Sequence, residues 1–230
     1  MKDVAFRKII ETLREDSNLN RATSSALAEL AQNASRLHFD KGEHIFTIGD
    51  DADQYYFVES GRVVMSRESA TGKVFTYRIA VRGTPLNAVT CFRTRAHLFS
   101  ARVVEKASVI VIPCLVFKPW VLNNPDVAAG ILSTIGDLLD GAYTRILDMI
   151  DESVENRILN ALSMLSSRIG PDLPLTNNDV AELVGTSRET AARVISRLQD
   201  GGLISKSRGA IRITDKPRLD DLSTSPFFIV

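Results

Sequence analysis

Residues Thr176 to Ile204, TNNDVAELVGTSRETAARVISRLQDGGLI, decide the reading of this chain. Thr176 followed three residues on by Asp179 is a helix start of the capping-box kind, and Val180, Ala181 and Leu183 give that helix an apolar face. Gly185 supplies a left-handed turn and Ser187 caps a second helix. In the second helix Ala191, Val194, Ile195 and Leu198 recur at three- and four-residue spacing, so they face a core and leave Arg188, Glu189, Arg193 and Arg197 outward. Gly201-Gly202 ends it. Two short helices around a tight turn are the sequence form of a helix-turn-helix.

Outward arginines on a helix are commonly a solvated face, and Arg197 alone would carry no more than that. The cluster is different in kind. The first residues of the second helix of a helix-turn-helix reach base edges, where guanidinium groups bond guanine O6 and N7 and a carboxylate accepts from cytosine N4. Arg188, Glu189 and Arg193 have those chemistries at that end of the helix. Downstream, Leu203 to Ser205 and Ala210 to Ile213 flank Lys206-Ser207-Arg208-Gly209 as strand, polar turn and strand, a wing. From Gly185 to Arg212 six basic residues face two acidic ones, whereas the whole chain balances 28 against 28. Thr176, Ser187, Thr190, Arg197, Lys206 and Arg208 are the candidates for phosphate contacts, with an ordinary solvated turn as the alternative for Lys206 and Arg208.

From about Phe39 to Asp215 the chain resembles the catabolite-activator and fumarate-nitrate-regulator superfamily of bacterial transcription factors. GTSRETAARVISRL is similar to the recognition helix of the catabolite-activator branch, whose Arg-Glu and later Arg read a TGTGA half-site; Arg188, Glu189 and Arg193 stand at those places. The oxygen-sensing branch has an apolar residue at the first of them, so Arg188 argues for TGTGA over TTGAT. The resemblance implies an α+β fold: an N-terminal β-roll of the cyclic-nucleotide-binding, jelly-roll type, a long dimerisation helix and a C-terminal winged helix-turn-helix. FDKGEHIFTIGDDADQYYFVESGRV is similar to the opening of that roll, and glycines 42, 49 and 61 would serve its corners. Independently, short runs rich in Val, Phe, Tyr, Thr and Ile between His38 and Ile112, with turn signals at Ser60-Gly61 and elsewhere, indicate a small all-β barrel.

The nucleotide cassette is degraded. Nucleotide-binding members hold the ribose with a Gly-Glu pair and the cyclic phosphate with Arg-Ser-Ala or Arg-Thr-Ala; in RGTPLNAVTCFRTRAHLFSARV these places fall at about Asn87-Ala88 and at Phe99-Ser100-Ala101. Losing the arginine removes a charge-assisted bond of about 1.5–3 kcal/mol, which argues against cyclic AMP in the usual pose. Two cysteines cannot supply the four ligands of an iron-sulfur cluster. Haem remains as a reading of Cys91 and His97, against an ordinary buried Cys91 and an exposed His97; His38 and His44 read as strand-surface residues. Asn87, Cys91, Arg93, Arg95, His97, Phe99, Ser100 and Tyr143 are the candidate effector-pocket residues. Eight basic against two acidic residues between Arg67 and Lys106 indicate an anionic effector near Arg93, Arg95 or Arg102, or more simply a solvated or polymerase-contacting face.

A helix is expected from Pro125-Asp126 through Ser153, with Ile131, Ile135, Leu138, Ala142, Ile146 and Met149 as a dimer seam, and Asp151 to Val154 as a hinge before a helix from Val154 to Arg168. The domains are then 1–124, a sensing β-roll; 125–153, dimerisation helix and hinge; and 154–230, the winged reader. No segment reads as a signal peptide or membrane span, so a cytoplasmic protein is expected, with both cysteines, Cys91 and Cys114, reduced. No nucleotide-binding glycine loop, nucleophile motif or metal-spaced cluster supports an enzyme. The expected partners are double-stranded DNA, a second copy of the chain, RNA polymerase and a small-molecule or gas effector, with no membrane. A constitutive, ligand-independent DNA-binding regulator with a degenerate sensor is the alternative. The apolar end Phe227-Phe228-Ile229-Val230 is expected to dock on the reader or on the partner subunit.

Overall fold

The computed structural model describes residues 2–70, 72, 74–87, 89–93 and 96–223; Ala88, Arg95 and the apolar end 224–230 lie outside the described residues. Contacts divide the chain into two units, Met1–Arg67 with Tyr77–Asp137, and Glu68–Thr76 with Leu138–Val230. Helix α5 (Pro125–Asp151) belongs with the first unit up to Asp137 and with the second from Leu138.

In the first unit, α1 (Lys2–Leu13) and α2 (Ser24–Gln32) precede a sheet of β1 (Ser35–Phe39), β2 (His44–Phe46), β3 (Gln54–Glu68), β4 (Val74–Ala80) and, after the short α3 (Thr90–Arg93), β5 (Ser100–Pro113). The sheet order is β1-β5-β3-β4 with β2 also on β5, and β5 pairs antiparallel with β1, β2 and β3. Helix α4 (Cys114–Leu122) follows β5 directly. Ser60-Gly61, read as a corner, is instead a bulge inside the 15-residue β3, where the register to β5 shifts. Gly61 has φ +83°, and a Cβ there would lie 2.2 Å from the Lys106 carbonyl oxygen, so no other residue fits without moving β5.

Among the described residues, two apolar clusters fill this unit. One surrounds Phe46, Val58, Val63, Met65, Leu86, Ala101 and Val103 inside the roll. The other joins Leu13, Leu27 and Leu30 of α1 and α2 to Tyr55, Phe57, Ile110 and Ile112 of the sheet, Phe117 and Trp120 of α4, and Val127 and Ile131 of α5. Each such side chain contributes about 1.5–3 kcal/mol when fully buried, so the second cluster is the main reason α4 and the start of α5 stay seated. Phe6, Ile9, Ile10 and Leu13 form the apolar stripe by which α1 joins this cluster.

Between the sheet and α1 sits Glu59, 4 % exposed. It accepts two 2.6 Å bonds from the Arg36 guanidinium, one of 2.7 Å from Ser108 Oγ and one of 3.4 Å from Thr12 Oγ1. Burial pushes the carboxyl up, but the Arg36 and Ser108 bonds outweigh it and hold it below its ordinary 4.5.

The cysteines differ from expectation. Cys91 on α3 and Cys114 at the start of α4 are joined in a disulfide, with Cα atoms 5.1 Å apart. Their 23-residue separation conceals this, because β5 runs back between them and returns the chain to α3.

The second unit contains α6 (Val154–Ile169), β6 (Asp172–Leu173), α7 (Asn177–Val184), α8 (Arg188–Asp200), β7 (Ile204–Ser207), β8 (Ala210–Ile213) and α9 (Lys216–Leu222), with sheet order β6-β8-β7. Ile158, Leu162 and Leu165 of α6 are buried, as are Val180 and Leu183 of α7, Val194, Ile195 and Leu198 of α8, Ile211 of β8 and Leu219 of α9. The break between α5 and α6 falls at the expected hinge, and Ser153 caps α6 by accepting from Asn156 N at 3.1 Å. Among the described residues no helix is long and apolar enough to cross a membrane.

Candidate functional site

Helix α7 starts at the Thr176 capping box: Asp179 N donates to Thr176 Oγ1 at 3.2 Å, and Thr176 N donates to the Asp179 carboxylate at 2.7 Å. It ends at Gly185, φ +71°, where a side chain would be strained and a Cβ would press on Met149 Cε at 3.3 Å. Ser187 then caps α8, accepting from Thr190 N at 3.1 Å. Ala191, Val194, Ile195 and Leu198 are buried, which fixes the opposite face outward. On that face Arg188, Glu189 and Arg193 are exposed at the helix N-terminal half. Arg193 Nη2 donates to Thr190 Oγ1 at 3.2 Å, and the Glu189 carboxyl is lowered by its own backbone N–H, by Ser187 and by Arg188, so it is an acceptor at neutral pH.

Arg197, also exposed, makes a 2.9 Å ion pair with Glu155 of α6. Lys206 and Arg208 are exposed on the β7–β8 wing. Geometrically, this unit offers a cationic helix end and a cationic loop to an anionic partner, with one carboxylate acceptor between the arginines.

Sequence reasoning missed what holds α7 in place. The last turn of any helix leaves carbonyl groups without helical partners. Here Arg145 of α5, 7 % exposed, donates through Nη2 to Leu183 O and, at 3.0 Å, to Thr76 O, while its guanidinium lies 4.2 Å above the Phe75 ring. Arg157 of α6 donates to Val184 O at 3.2 Å and to Glu152 O at 2.9 Å. Burial lowers the Arg145 guanidinium to about 10, so it stays charged at neutral pH. Two buried arginines thus cap the C-terminus of α7 and fix its angle to α5 and α6. Replacing Arg145 with Met leaves the Leu183 and Thr76 carbonyls without this donor, at a cost of about 1–3 kcal/mol for each buried acceptor left unmade. Faster amide exchange in α7 than in α6 is the expected result; equal acceleration throughout the unit would contradict it.

The residues of the expected seam lie in different surroundings. Ile131 is buried in the core cluster of the first unit, Ile135 packs partly against it, and Leu138 is half-buried. Met149 lies against Gly185. The apolar face that α5 leaves open is the adjacent stripe of Leu132, Leu139 and Ile146, seven residues apart, with Tyr143 and Ile150, also seven apart; these are 51–72 % exposed. Of the expected seam residues, Ile146 belongs to this stripe, and Ala142 and Met149 are exposed as well.

The candidate sensor residues are largely committed to packing. Asn87 Oδ1 accepts from Tyr56 N at 2.9 Å and its Nδ2 donates to Gln54 O at 2.6 Å. Phe99, standing where an arginine was sought, stacks on Tyr77 at 4.6 Å. Ser100 Oγ accepts from Ile48 N at 3.0 Å, Arg93 is exposed, and Tyr143 is 57 % exposed on α5 in the second unit. His97, expected at the surface, is 4 % exposed and stacked on Phe46 at 3.7 Å; burial pushes its pKa down. With Cys91 bonded to Cys114, its sulfur offers no thiolate to pair with His97 as an axial ligand for haem. His38 and His44 are exposed on β1 and β2, as expected.

Residues 36–121 match the cyclic nucleotide-binding domain family and residues 156–222 the Crp-like helix-turn-helix domain family. The chain belongs to the CRP/FNR superfamily of transcription regulators. It is similar to the CRP-like cAMP-activated global transcriptional regulator of Mycobacterium tuberculosis, 23 % identical over 203 residues covering 85 % of this chain and 91 % of the relative. In fold, this CRP/FNR regulator is similar to FixK2 from Bradyrhizobium japonicum, with TM-score 0.74, 18 % identity and coverage of 84 % and 98 % of the two chains. It is also similar to the c-di-GMP responsive global regulator CLP of Xanthomonas campestris, with TM-score 0.73, 19 % identity and coverage of 84 % and 100 %. The α+β architecture expected from sequence, a nucleotide-binding-type roll followed by a helix-turn-helix, is the architecture of the family.

Proposed function

We propose that this chain is a dimeric transcription regulator that reads a palindromic TGTGA-type operator and is switched by a signal other than cyclic AMP. The observation that carries the DNA half of this reading is α8: its apolar side is buried, and Arg188, Glu189 and Arg193 project together from its first two turns. Arg188 and Arg193 take the guanines and Glu189 the cytosine amino group. Ser187, Thr190, Arg197, Lys206 and Arg208 contact phosphates, with Arg197 exchanging its Glu155 partner for a phosphate, and Thr176 serves the same purpose at the start of α7. The signal reading rests on Phe99 in place of a phosphate-binding arginine and on Asn87 being spent on the β3 backbone.

Two copies join along α5 through Leu132, Leu139, Tyr143, Ile146 and Ile150, an exposed heptad-spaced stripe that water would otherwise cover. Leu139→Asp together with Ile146→Asp places four carboxylates in that seam. The expected outcome is a monomer by sedimentation and the loss of tight operator binding; an intact dimer would refute the seam. Dimeric reading is tested separately by duplex geometry. Half-sites one helical turn apart, about 34 Å, are expected to bind far more tightly than the same half-sites with ~5 base pairs inserted, which rotate one site to the opposite side of the duplex. Equal binding to both would contradict the reading.

A further inference from the structure

We propose that Cys91 and Cys114 form a reversible thiol–disulfide site, oxidised by hydroperoxides, that sets operator affinity. This inference rests on the regulator reading above and names its signal. The two are the chain's only cysteines, and the fold brings them together from segments 23 residues apart. Proteins that read DNA work where cellular thiol pools keep cysteines reduced, and a disulfide there is usually transient, catalytic or redox-sensing rather than a structural staple. The pair is asymmetric in access: Cys91 is 3 % exposed, whereas Cys114 is half-buried at the first position of the nine-residue α4. Both sulfurs lie in the first turn of a helix, so access decides the roles: Cys114 is the attacking sulfur and Cys91 the resolving one.

The chemistry closes without a further reactant. In the reduced protein the Cys114 thiolate attacks the terminal oxygen of a hydroperoxide; the O–O bond breaks, the alcohol or water leaves with a proton, and Cys114 becomes a sulfenic acid. The Cys91 thiol then attacks that sulfur, the S–O bond breaks, and water leaves as the disulfide forms. Two thiols lose two electrons and the peroxide gains them. A cellular dithiol reverses the reaction by two exchange steps.

The location gives this bond leverage on the reader. Cys91 belongs to the same buried cluster as Phe117, Trp120 and Val121 of α4 and Val127 and Ile131 of α5. The bond therefore ties α3 to the element that seats the first half of α5, and α5 continues into the unit that carries the helix-turn-helix. Breaking it frees α3 from α4 and loosens that seat, so the two redox forms hold α5 differently. A signal can act only through such a difference between states.

The test compares one protein preparation after hydrogen peroxide and after excess phosphine reductant, with free thiols counted in each. Zero and two thiols are expected, with operator Kd differing at least tenfold. Cys91→Ser and Cys114→Ser are each expected to give one Kd whatever the treatment. Equal Kd values in wild-type protein whose thiol counts differ would overturn the proposal, as would thiols that peroxide fails to convert. If neither form binds the operator, the regulator reading fails on its own account, and amide exchange over residues 114–137 decides the redox claim. Slower exchange in the disulfide form supports it, and identical exchange overturns it.

Discussion

A protein carrying Arg188→Ala and Arg193→Ala is expected to bind its operator no better than unrelated DNA, while folding as the wild type does. Both side chains are exposed on α8 and neither belongs to its buried face, so their removal spares the core. A bidentate arginine–guanine contact contributes about 1–3 kcal/mol of discrimination, so on the proposed reading the pair would account for about 2–6 kcal/mol in each half-site. Single substitutions sharpen the test. Arg188→Ala should relax preference at one base position and Arg193→Ala at another, read from affinities for a set of duplexes each altered at one base pair. Lys206→Ala, by contrast, should weaken all duplexes alike and lower the salt dependence by about one unit of slope, the signature of a phosphate contact. A uniform loss for the Arg188 variant, with preference unchanged, would move that residue from the bases to the backbone.

The second large effect concerns the β-roll. Arg36→Ala leaves the Glu59 carboxylate 4 % exposed with only Ser108 and Thr12 as side-chain partners. Breaking a buried charged pair from one side costs about 3–5 kcal/mol, far more than an exposed ion pair such as Lys106–Asp40 contributes. Because the Glu59 carboxyl is held below its ordinary 4.5 in the folded wild type, its contribution is complete above about pH 4.5 and is lost as the pH falls through the lower folded value. Without Arg36, burial instead favours the protonated form. The stability gap between wild type and Arg36→Ala, measured by denaturant unfolding, should therefore be widest near neutrality and close as the medium becomes acid. A gap that is the same at both ends, or smaller than about 1 kcal/mol at neutral pH, would show that Glu59 does not depend on Arg36.

The reader was legible because its signals are local. Thr176 with Asp179, Gly185 and Ser187 each act on the backbone within a few residues, and all four take the cap and turn roles their chemistry dictates. The break between α5 and α6 near Asp151 to Val154 was legible because one apolar pattern ends there and another begins. What escaped depends on distant partners. Arginines in a helix read as solvated, yet Arg145 and Arg157 are buried because α7 ends against them and needs donors. The face that α5 leaves open was harder to read, because apolar side chains fill two neighbouring stripes, as in Ile131-Leu132 and Leu138-Leu139. Only the position of the roll decides that Ile131 is covered and Leu132 is not. His97 and the two cysteines failed in the same way, since neither the Phe46 ring nor the return of β5 leaves a mark in the local sequence.

The most direct measurement is a fluorescence-anisotropy titration of wild-type protein against a TGTGA palindrome and against a scrambled duplex of the same length and composition, at one fixed, near-physiological salt concentration. Specific regulators bind their sites about 10³-fold or more tighter than random DNA. A preference of that size, lost on exchanging TGTGA for TTGAT half-sites, is the predicted result. Equal affinity for the palindrome and its scrambled partner would contradict the account at its centre, because Arg188, Glu189 and Arg193 would then be reading no sequence at all.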